Sequence, residues 1–348
     1  MGMVRAKVLA GTLPALLGLL GCRSAERGVE RFEFRCPRMG TEFRIVLYAG
    51  SRPRAEQAAR AVFARVRALE GIFSDYDPSS ENERLARRSD AGAPTEVLAA
   101  SREFLELASF GQELARETDG AFDLTVGPLT RLWRQAARRG ELPSEESAGR
   151  ARAAVGYRGL ETDRERGTVR FLAPGMRLDF GALAKGLAVD EALAVLRSFG
   201  IDRALVVGGG ELRAGQAPPG RSGWNIELAR LSGEGEPEKL CVRELAVATS
   251  GDLERFVEVE GVRFSHILDP RSGESLHERR LVTVLAPDAL SADALATAIS
   301  VLGVEQGLLL ARSRGVEARI ATLAEGEVEL RATAGFPGAL SSRSFSIP

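Results

Sequence analysis

The sequence predicts a mixed α+β fold in which mixed or antiparallel sheets pack against helices. Three observations carry that reading. Runs with strand character outnumber helices placed to cross between parallel strands. Many of those runs lie at hairpin spacing, separated by short turns. A chain of 348 residues with 44% hydrophobic and 27% charged content can bury a sizeable core, in one large domain or two ordinary ones.

The elements follow from local pattern. Phe43 to Tyr48 alternates as a strand. Pro53 to Ile72 is helical, because Val62, Val66, Leu69 and Phe73 recur at three- and four-residue steps. Asp75 to Ser80, with its proline and serines, is turn chemistry. Thr95 to Glu117 reads as one amphipathic helix closed by Asp119-Gly120, and Leu129 to Arg139 as another after Pro128. Thr168 to Leu172 and Met176 to Phe180 read as two short strands about an Ala173-Pro174-Gly175 turn. Ala182 to Phe199 is a helix that stops at Gly200, and Ala204 to Val207 a buried strand. Strand-like runs follow at Trp224 to Leu228, Leu240 to Ala248, Arg263 to Leu268 and Leu281 to Leu285. Helices at Ser291 to Leu302 and Val304 to Ser313 precede two last strands, Glu317 to Ala321 and Val328 to Arg331. There are no repeats, and Gln216 to Ser222 reads as a loop rather than a domain boundary.

A formal net charge of −1 argues against a dedicated nucleic-acid binder. The basic block Arg134 to Arg139 reads as solvated helix surface. Two histidines and three cysteines are too few for a typical zinc site, so a metal here would be a hard cation held by oxygen. At the N-terminus, Arg5 and Lys7 precede an apolar run, Val8 to Leu20, that is too short to span a bilayer. Its ending, Leu19-Leu20-Gly21-Cys22, resembles a lipoprotein signal; the alternative is an ordinary cleaved signal with an incidental cysteine. The expected organisation is a signal over residues 1–21, a lipidated Cys22 with a polar tether over 22–30, and one domain over 31–348. That places the domain in the cell envelope, lipid-anchored and facing the periplasmic or extracytoplasmic side. In that oxidising space Cys36 and Cys241 could pair or could remain free.

Five clusters could carry chemistry, and each has a plain structural alternative. Thr118 to Pro128 surrounds Asp123 and Phe122 with small residues, which suits a planar ligand or a simple helix connector. Leu178 to Gly186 puts Asp179 at a strand end, before a helix N-terminus with Lys185 one turn in. Exposed amides and a lysine suit a phosphate, while capping and a solvated lysine are the alternatives. Val206 to Gly210 reads as a tight turn, with Glu211-Leu212-Arg213 continuing as a strand. His266, with Asp269 nearby, could take a proton from a hydroxyl or be structural. Asp293 and Thr297 lie four apart on a helix and share a face suited to Mg²⁺. They could equally be an N-terminal acid and a threonine bonded back to a carbonyl.

In this order and spacing the clusters resemble the ApbE family, the FAD:protein FMN transferases. The resemblance runs from Met39-Gly40-Thr41 to about Gly307 and is strongest over Thr118 to Leu132, Leu178 to Asp190, Ala248 to Gly273 and Asp293 to Thr297. It implies an ApbE-like, T-fold-like architecture. It implies that Met39 and Tyr76 line the FAD site, that Ala121, Phe122 and Asp123 hold the flavin nucleotide, and that Asp179, Lys185 and Ile267 complete it. It implies Mg²⁺ on the carbonyl of Ala182 and the side chains of Asp293 and Thr297, with His266 as general base. The implied reaction transfers FMN from FAD to a threonine hydroxyl of an acceptor protein and releases AMP. Acceptors would be proteins with FMN-binding domains, such as subunits of electron-transfer complexes. The sequence departs from the family pattern at Gly210, a third glycine ahead of Glu211, and in Ser79 to Glu83. Two alternatives use the same residues: a Mg²⁺-dependent FAD pyrophosphatase, and a non-catalytic FAD-binding lipoprotein.

Overall fold

A computed structural model describes residues 28–91, 96–231, 238–251, 256–259, 262–324, 326–337 and 345–346. The signal, Cys22 and most of the tether lie outside the described residues. The chain opens with β1 (Glu30–Arg38), β2 (Thr41–Ala49), α1 (Arg52–Phe73), α2 (Glu81–Ala91), β3 (Leu98–Ala99) and α3 (Arg102–Glu117). It continues with α4 (Gly127–Arg139), α5 (Glu145–Ala153), β4 (Leu160–Asp163), β5 (Thr168–Phe171), α6 (Ala184–Ser198), β6 (Ala204–Gly208) and β7 (Glu211–Ala214). Next come β8 (Trp224–Glu227), β9 (Lys239–Val242), β10 (Leu245–Gly251), β11 (Phe256–Val259), β12 (Val262–Ser265) and β13 (Arg279–Ala286). The last elements are α7 (Ala289–Leu302), α8 (Val304–Ser313), β14 (Glu317–Ala324), β15 (Glu327–Ala332) and β16 (Phe345–Ser346).

The scaffold is one antiparallel sheet in the order β1-β2-β6-β7-β10-β13-β14-β15-β16. Strand alternation gives it two apolar faces. Phe43, Ile45 and Leu47 of β2, with Val206, Ala248, Val284 and Ile320, face a helical layer of α1, α6, α7 and α8. Val46, Leu205, Val247 and Leu285 face the other way, under Trp224, Ile226, Leu240 and Val242 of the β8–β9 hairpin. The mixed α+β expectation holds, with antiparallel pairing throughout the named strands of the main sheet.

Three expectations need correction. The helix expected from Thr95 begins at Arg102. Ser101 is its N-cap, with Oγ accepting from the Phe104 amide, and Leu98–Ala99 pairs with β5 as a strand. Glu81 fixes that cap by accepting from Ser101 N and Ser101 Oγ, both at 2.6 Å. Met176 to Phe180 is not a strand of a sheet. The hairpin partner of β5 is β4, and the 176–180 segment is held by an isolated bridge, Val126 to Arg177, and by Asp179 N donating to Leu124 O. The single run Leu240 to Ala248 is two strands in two sheets. The chain turns at Glu244, whose φ of 49° is left-handed. The helix α2 and the strand β1 were not anticipated. Cys36 and Cys241 are free thiols. Among the described residues no helix is long and apolar enough to cross a membrane.

Candidate active site

The site residues converge because three close approaches bring remote segments together. The first is between α6 and α7. A Cβ on Gly186 would lie 2.4 Å from the carbonyl oxygen of Ala289, so only glycine permits this crossing. Asp190, one turn further along α6, accepts from the amides of Ala289 and Leu290 at 2.9 Å each, and Asp288 accepts from Ser291 N at 2.7 Å. Two carboxylates thus satisfy the orphan amides that open α7 and suit the positive end of its dipole. Burial raises the Asp190 pKa, partly offset by those two amides and by Arg213.

The second approach brings the β1–β2 and β6–β7 turns to the same edge of the helical layer. Met39 and Gly40 form a two-residue turn with φ of 50° and 69°, as the twist of a tight hairpin requires. Met39 N donates to Glu70 of α1 at 2.6 Å. The Gly208–Gly210 turn lies beside Thr41: a Cβ on Gly209 would fall 3.2 Å from Thr41 Oγ1 and 3.3 Å from Glu211 Oε2. The sequence expectation of a tight turn holds here. In β7, however, Glu211 faces the helices from the same side of the sheet as Gly208.

Lys185 joins these two regions. Its ammonium donates to the carbonyl of Gly181 at 2.7 Å and pairs with Glu211 Oε1 at 3.1 Å and Asp293 Oδ2 at 3.3 Å. Gly186 N also donates to Asp293 Oδ2, at 3.1 Å. Lys185 is therefore not the solvated charge that its sequence context allowed. Burial opposes its charge, but the Asp293 and Glu211 carboxylates outweigh that and raise its pKa. Burial, together with the neighbouring Asp293 charge, pushes Glu211 up to about 8 despite Lys185. Thr297 lies one turn beyond Asp293 and is half-buried. On the same helix Ser300 Oγ bonds back to Ala296 O at 2.8 Å, whereas Thr297 Oγ1 makes no such bond among the described residues. Ala182 lies in the turn that leads into α6.

The third approach is at Asp179. Its Oδ1 accepts from Gly181 N at 2.8 Å, which caps the turn into α6, and its Oδ2 accepts from Arg134 at 2.9 Å. Arg134 also pairs with Asp75 at 2.6 Å, and its guanidinium lies 4.6 Å from the ring centroid of Tyr76. Burial and the Asp179 charge raise the Asp75 pKa, and Arg134 opposes them. Tyr76 itself is 74% exposed, so a large aromatic ring is presented to solvent over a fixed cation. The reading of Arg134 as solvated helix surface is corrected: it is the hub of this group.

The 118–128 connector is mostly interior. Phe122 is buried in the main core, so its ring is a plug rather than an open platform. Asp123 is buried and fully engaged, accepting from Thr125 N, Thr125 Oγ1 and Tyr157 N between 2.7 and 2.8 Å. Burial raises its pKa against those bonds. Ala121 joins Ile267 and Val301 in a small apolar cluster. Val301 follows Asp293 and Thr297 at i+8 and i+4, so one face of α7 runs from the Lys185 group to Ala121 and Ile267. His266 precedes Ile267 at the end of β12 and is exposed. Ile267 N donates to Ser265 Oγ at 3.1 Å, and Trp133 of α4 stacks near Phe264 and donates to Gly273 O. The loop bearing His266 is thereby tied to the helix bearing Arg134.

Sequence reasoning missed Arg134 and Glu211. The available signal for Glu211 was its alternation: charged Glu211 and Arg213 occupy the β7 positions that face the helices, where apolar residues are expected. Arg134 had no signal, because its partners Asp75 and Asp179 are far away in sequence.

The arrangement combines an exposed ring, buried carboxylates, a lysine at a helix start and an exposed histidine. Its oxygen donors are hard, and the carboxylates of Glu211 and Asp293 face one another closely enough to raise the pKa of Glu211. Glu211 Oε2 is buried without a hydrogen-bond partner, which fits a region built to hold a cation. The chain is 31% identical over 312 residues to an FAD:protein FMN transferase of Vibrio cholerae, covering 87% of this chain and 90% of the relative. It is 33% identical over 322 residues to an FAD:protein FMN transferase of Treponema pallidum, with 87% and 86% covered. The solved flavin transferase ApbE from Vibrio cholerae superposes with a TM-score of 0.80 at 28% identity, over 90% of this chain and all of that one. The apo flavinyl transferase ApbE of Pseudomonas stutzeri gives 0.79 at 32% identity, over 89% and 97%. The ApbE family model matches residues 39–320, and the chain belongs to that family.

Proposed function

We propose that the protein is an FAD:protein FMN transferase that moves FMN from FAD to a threonine hydroxyl of an acceptor protein, with Mg²⁺ and release of AMP. The observation that carries this reading is the buried Lys185–Asp293–Glu211 group beside the Thr297 face of α7. Names and folds of the relatives support it.

In this reading Tyr76, steadied by Arg134, stacks against a ring of the dinucleotide, and Met39 lines the same cleft. Asp179 orders the turn into α6 and so presents the amides of that turn toward phosphate. Ala121, Phe122, Asp123 and Ile267 form the inner wall; Asp123 acts through the backbone that it ties down. The oxygens of Asp293, Thr297 and the Ala182 carbonyl would hold Mg²⁺, which when bound supplies charge neutralisation to the diphosphate. Lys185 adds a positive charge beside it.

His266 stands at an exposed strand end, where a side chain of another protein can reach it. It takes the threonine proton as the threonine oxygen attacks the FMN-side phosphorus. The new P–O bond to threonine forms as the bond to the AMP oxygen breaks, and AMP leaves with the electron pair. General-base assistance of this kind is worth roughly 10²–10⁴-fold. With water in place of threonine the same residues would give FMN and AMP.

The test is mass spectrometry of an FMN-binding acceptor domain incubated with the protein, FAD and Mg²⁺. An adduct of FMN phosphoester mass on threonine, absent with EDTA and with His266→Ala, is expected. FMN and AMP without adduct would replace the reading by a pyrophosphatase. Bound FAD with neither product, across several acceptors, would leave a binding protein.

A further inference from the structure

We propose that Lys185 is the resident cation of the Asp293 site and that Glu211 is a positioning residue, which takes over the ammonium when a divalent ion occupies Asp293. The proposal rests on the reading of Asp293 as a metal ligand given above and concerns what must happen within this chain before a metal can bind.

The geometry is that of a filled site. An ammonium has three hydrogens, and Lys185 Nζ has three oxygens around it: Gly181 O at 2.7 Å, Glu211 Oε1 at 3.1 Å and Asp293 Oδ2 at 3.3 Å. The longest of the three is to Asp293, so that contact is the one most readily given up. A divalent ion on Asp293 would stand close to the Lys185 ammonium, and like charges in a poorly solvated place repel. That repulsion drives the ammonium away from the ion, and the lysine stem is flexible enough to let it move.

Glu211 supplies the destination. Its side chain is only 6% exposed, and Oε1 already holds the ammonium. Oε2 is buried with no hydrogen-bond partner. A buried, unsatisfied carboxylate oxygen is costly and rarely kept without a use. A small rotation of the lysine terminus would bring both oxygens of Glu211 onto Nζ as Asp293 is released. The Gly208–Gly210 turn keeps this corner compact, because side chains there would meet Phe43, Thr41, Glu211 or the Thr249 carbonyl.

The charge balance also suits an anionic substrate. With both acids ionised, two carboxylates and one ammonium leave one negative charge. A divalent ion added to them leaves one positive charge, opposite in sign to a diphosphate. Lys185, parked on Glu211, remains beside the ion and can turn to phosphate oxygen. Glu211 thus acts through Lys185, not as a ligand.

The experiment is Mn²⁺ titration of the nucleotide-free protein, followed by electron paramagnetic resonance. Lys185→Met removes the competitor and is expected to bind Mn²⁺ about ten-fold tighter than the parent, within the range of coupling between contacting side chains. Glu211→Gln leaves the ammonium on Asp293 and is expected to bind several-fold more weakly, with Glu211→Asp partly restoring affinity. In the Lys185→Met background, Glu211→Gln is expected to change affinity little. Equal or weaker binding by Lys185→Met overturns the proposal. So does a Glu211→Gln effect of the same size in both backgrounds, which would make Glu211 act on the ion directly. Should Lys185→Met fail to fold, Lys185→Arg carries the test: it keeps the charge, should hold Asp293 more firmly and bind Mn²⁺ more weakly, and unchanged binding refutes the exchange. Asp293→Asn separates the two levels. Loss of Mn²⁺ there with an unmoved Lys185→Met removes this proposal and leaves the metal reading standing, whereas Mn²⁺ binding indifferent to Asp293→Asn removes both.

Discussion

Arg134 shows how much one side chain can organise. Its side chain is 30% exposed, and the guanidinium bridges Asp75 and Asp179, whose side chains are only 13% and 14% exposed, while its face covers Tyr76. Replacing it with leucine leaves two like charges facing one another in a partly dry place. Breaking a buried pair in this way typically costs 3–5 kcal/mol; with Arg134 partly wetted, about 1–3 kcal/mol of stability is expected, read by urea unfolding. FAD affinity should fall with it, because both Tyr76 and the Asp179 turn lose their support. Lysine at 134 should recover little, since a point charge cannot span two carboxylates and a ring. Fluorescence titration with FAD checks this, and parent-like affinity in Arg134→Leu would remove Arg134 from the site. Little of this was legible in the sequence. Asp179 could be read as a capping acid and proved to be one, but its second partner comes from a helix 45 residues away. Pairing over that distance leaves no local trace.

Elements carry a different kind of constraint. Helices α6 and α7 were both readable from periodicity, as was the shared face of Asp293 and Thr297. Their mutual placement was not, because it depends on Gly186 and Asp190, which look unremarkable in a helix. Gly186→Ala puts a methyl 2.4 Å from a backbone oxygen that cannot swing away. Overpacking of this kind costs about 1–3 kcal/mol. The displaced helix is the one bearing Asp293, so metal affinity should fall more than thermal stability alone would explain. Asp190→Ala strips two amides of their acceptor and should cost about 2–4 kcal/mol. The milder Asp190→Asn adds a pH signature. Burial raises the Asp190 pKa above its ordinary 3.8, so the folded state binds that proton more tightly than the unfolded chain. The stability tied to that proton is complete below 3.8 and is lost as pH rises through the shifted value. The gap in unfolding free energy between parent and Asp190→Asn should therefore be widest in acid and narrow toward neutral pH. A gap that widens with pH would mean that the two amides, not burial, control this carboxylate. Where sequence pattern failed at this scale, a polar residue interrupted it: Ser101 starts α3 late, and Glu244 splits one apolar run between two sheets.

At the scale of the whole molecule, the length of β1 separates the Met39 turn from the strand's first residue, Glu30. The hairpin spacing that predicted antiparallel pairing fixes neighbours such as β6 with β7 and β14 with β15. It could not fix the β2–β6 contact that brings the Met39 turn to the Glu211 turn, which joins strands more than 150 residues apart. That contact gives β1 a mechanical meaning. The strand begins at Glu30, next to the tether, and ends at Arg38, next to the Met39 turn. Nine residues at about 3.3 Å each put the turn about 30 Å from the end where the chain enters the fold. None of the residues assigned to catalysis lies at that entry end. A lipid on Cys22 would therefore fix where the enzyme sits without touching its chemistry. Cys22→Ser is expected to move the protein from the membrane fraction to the soluble one. Its turnover of FAD with a soluble acceptor should match that of the parent, because the site and the entry point share no residue. Membrane retention by Cys22→Ser would refute lipidation at this cysteine. Loss of turnover with a soluble acceptor would mean that the tether does more than hold, and that the edge strand it feeds transmits its attachment to the Met39 turn.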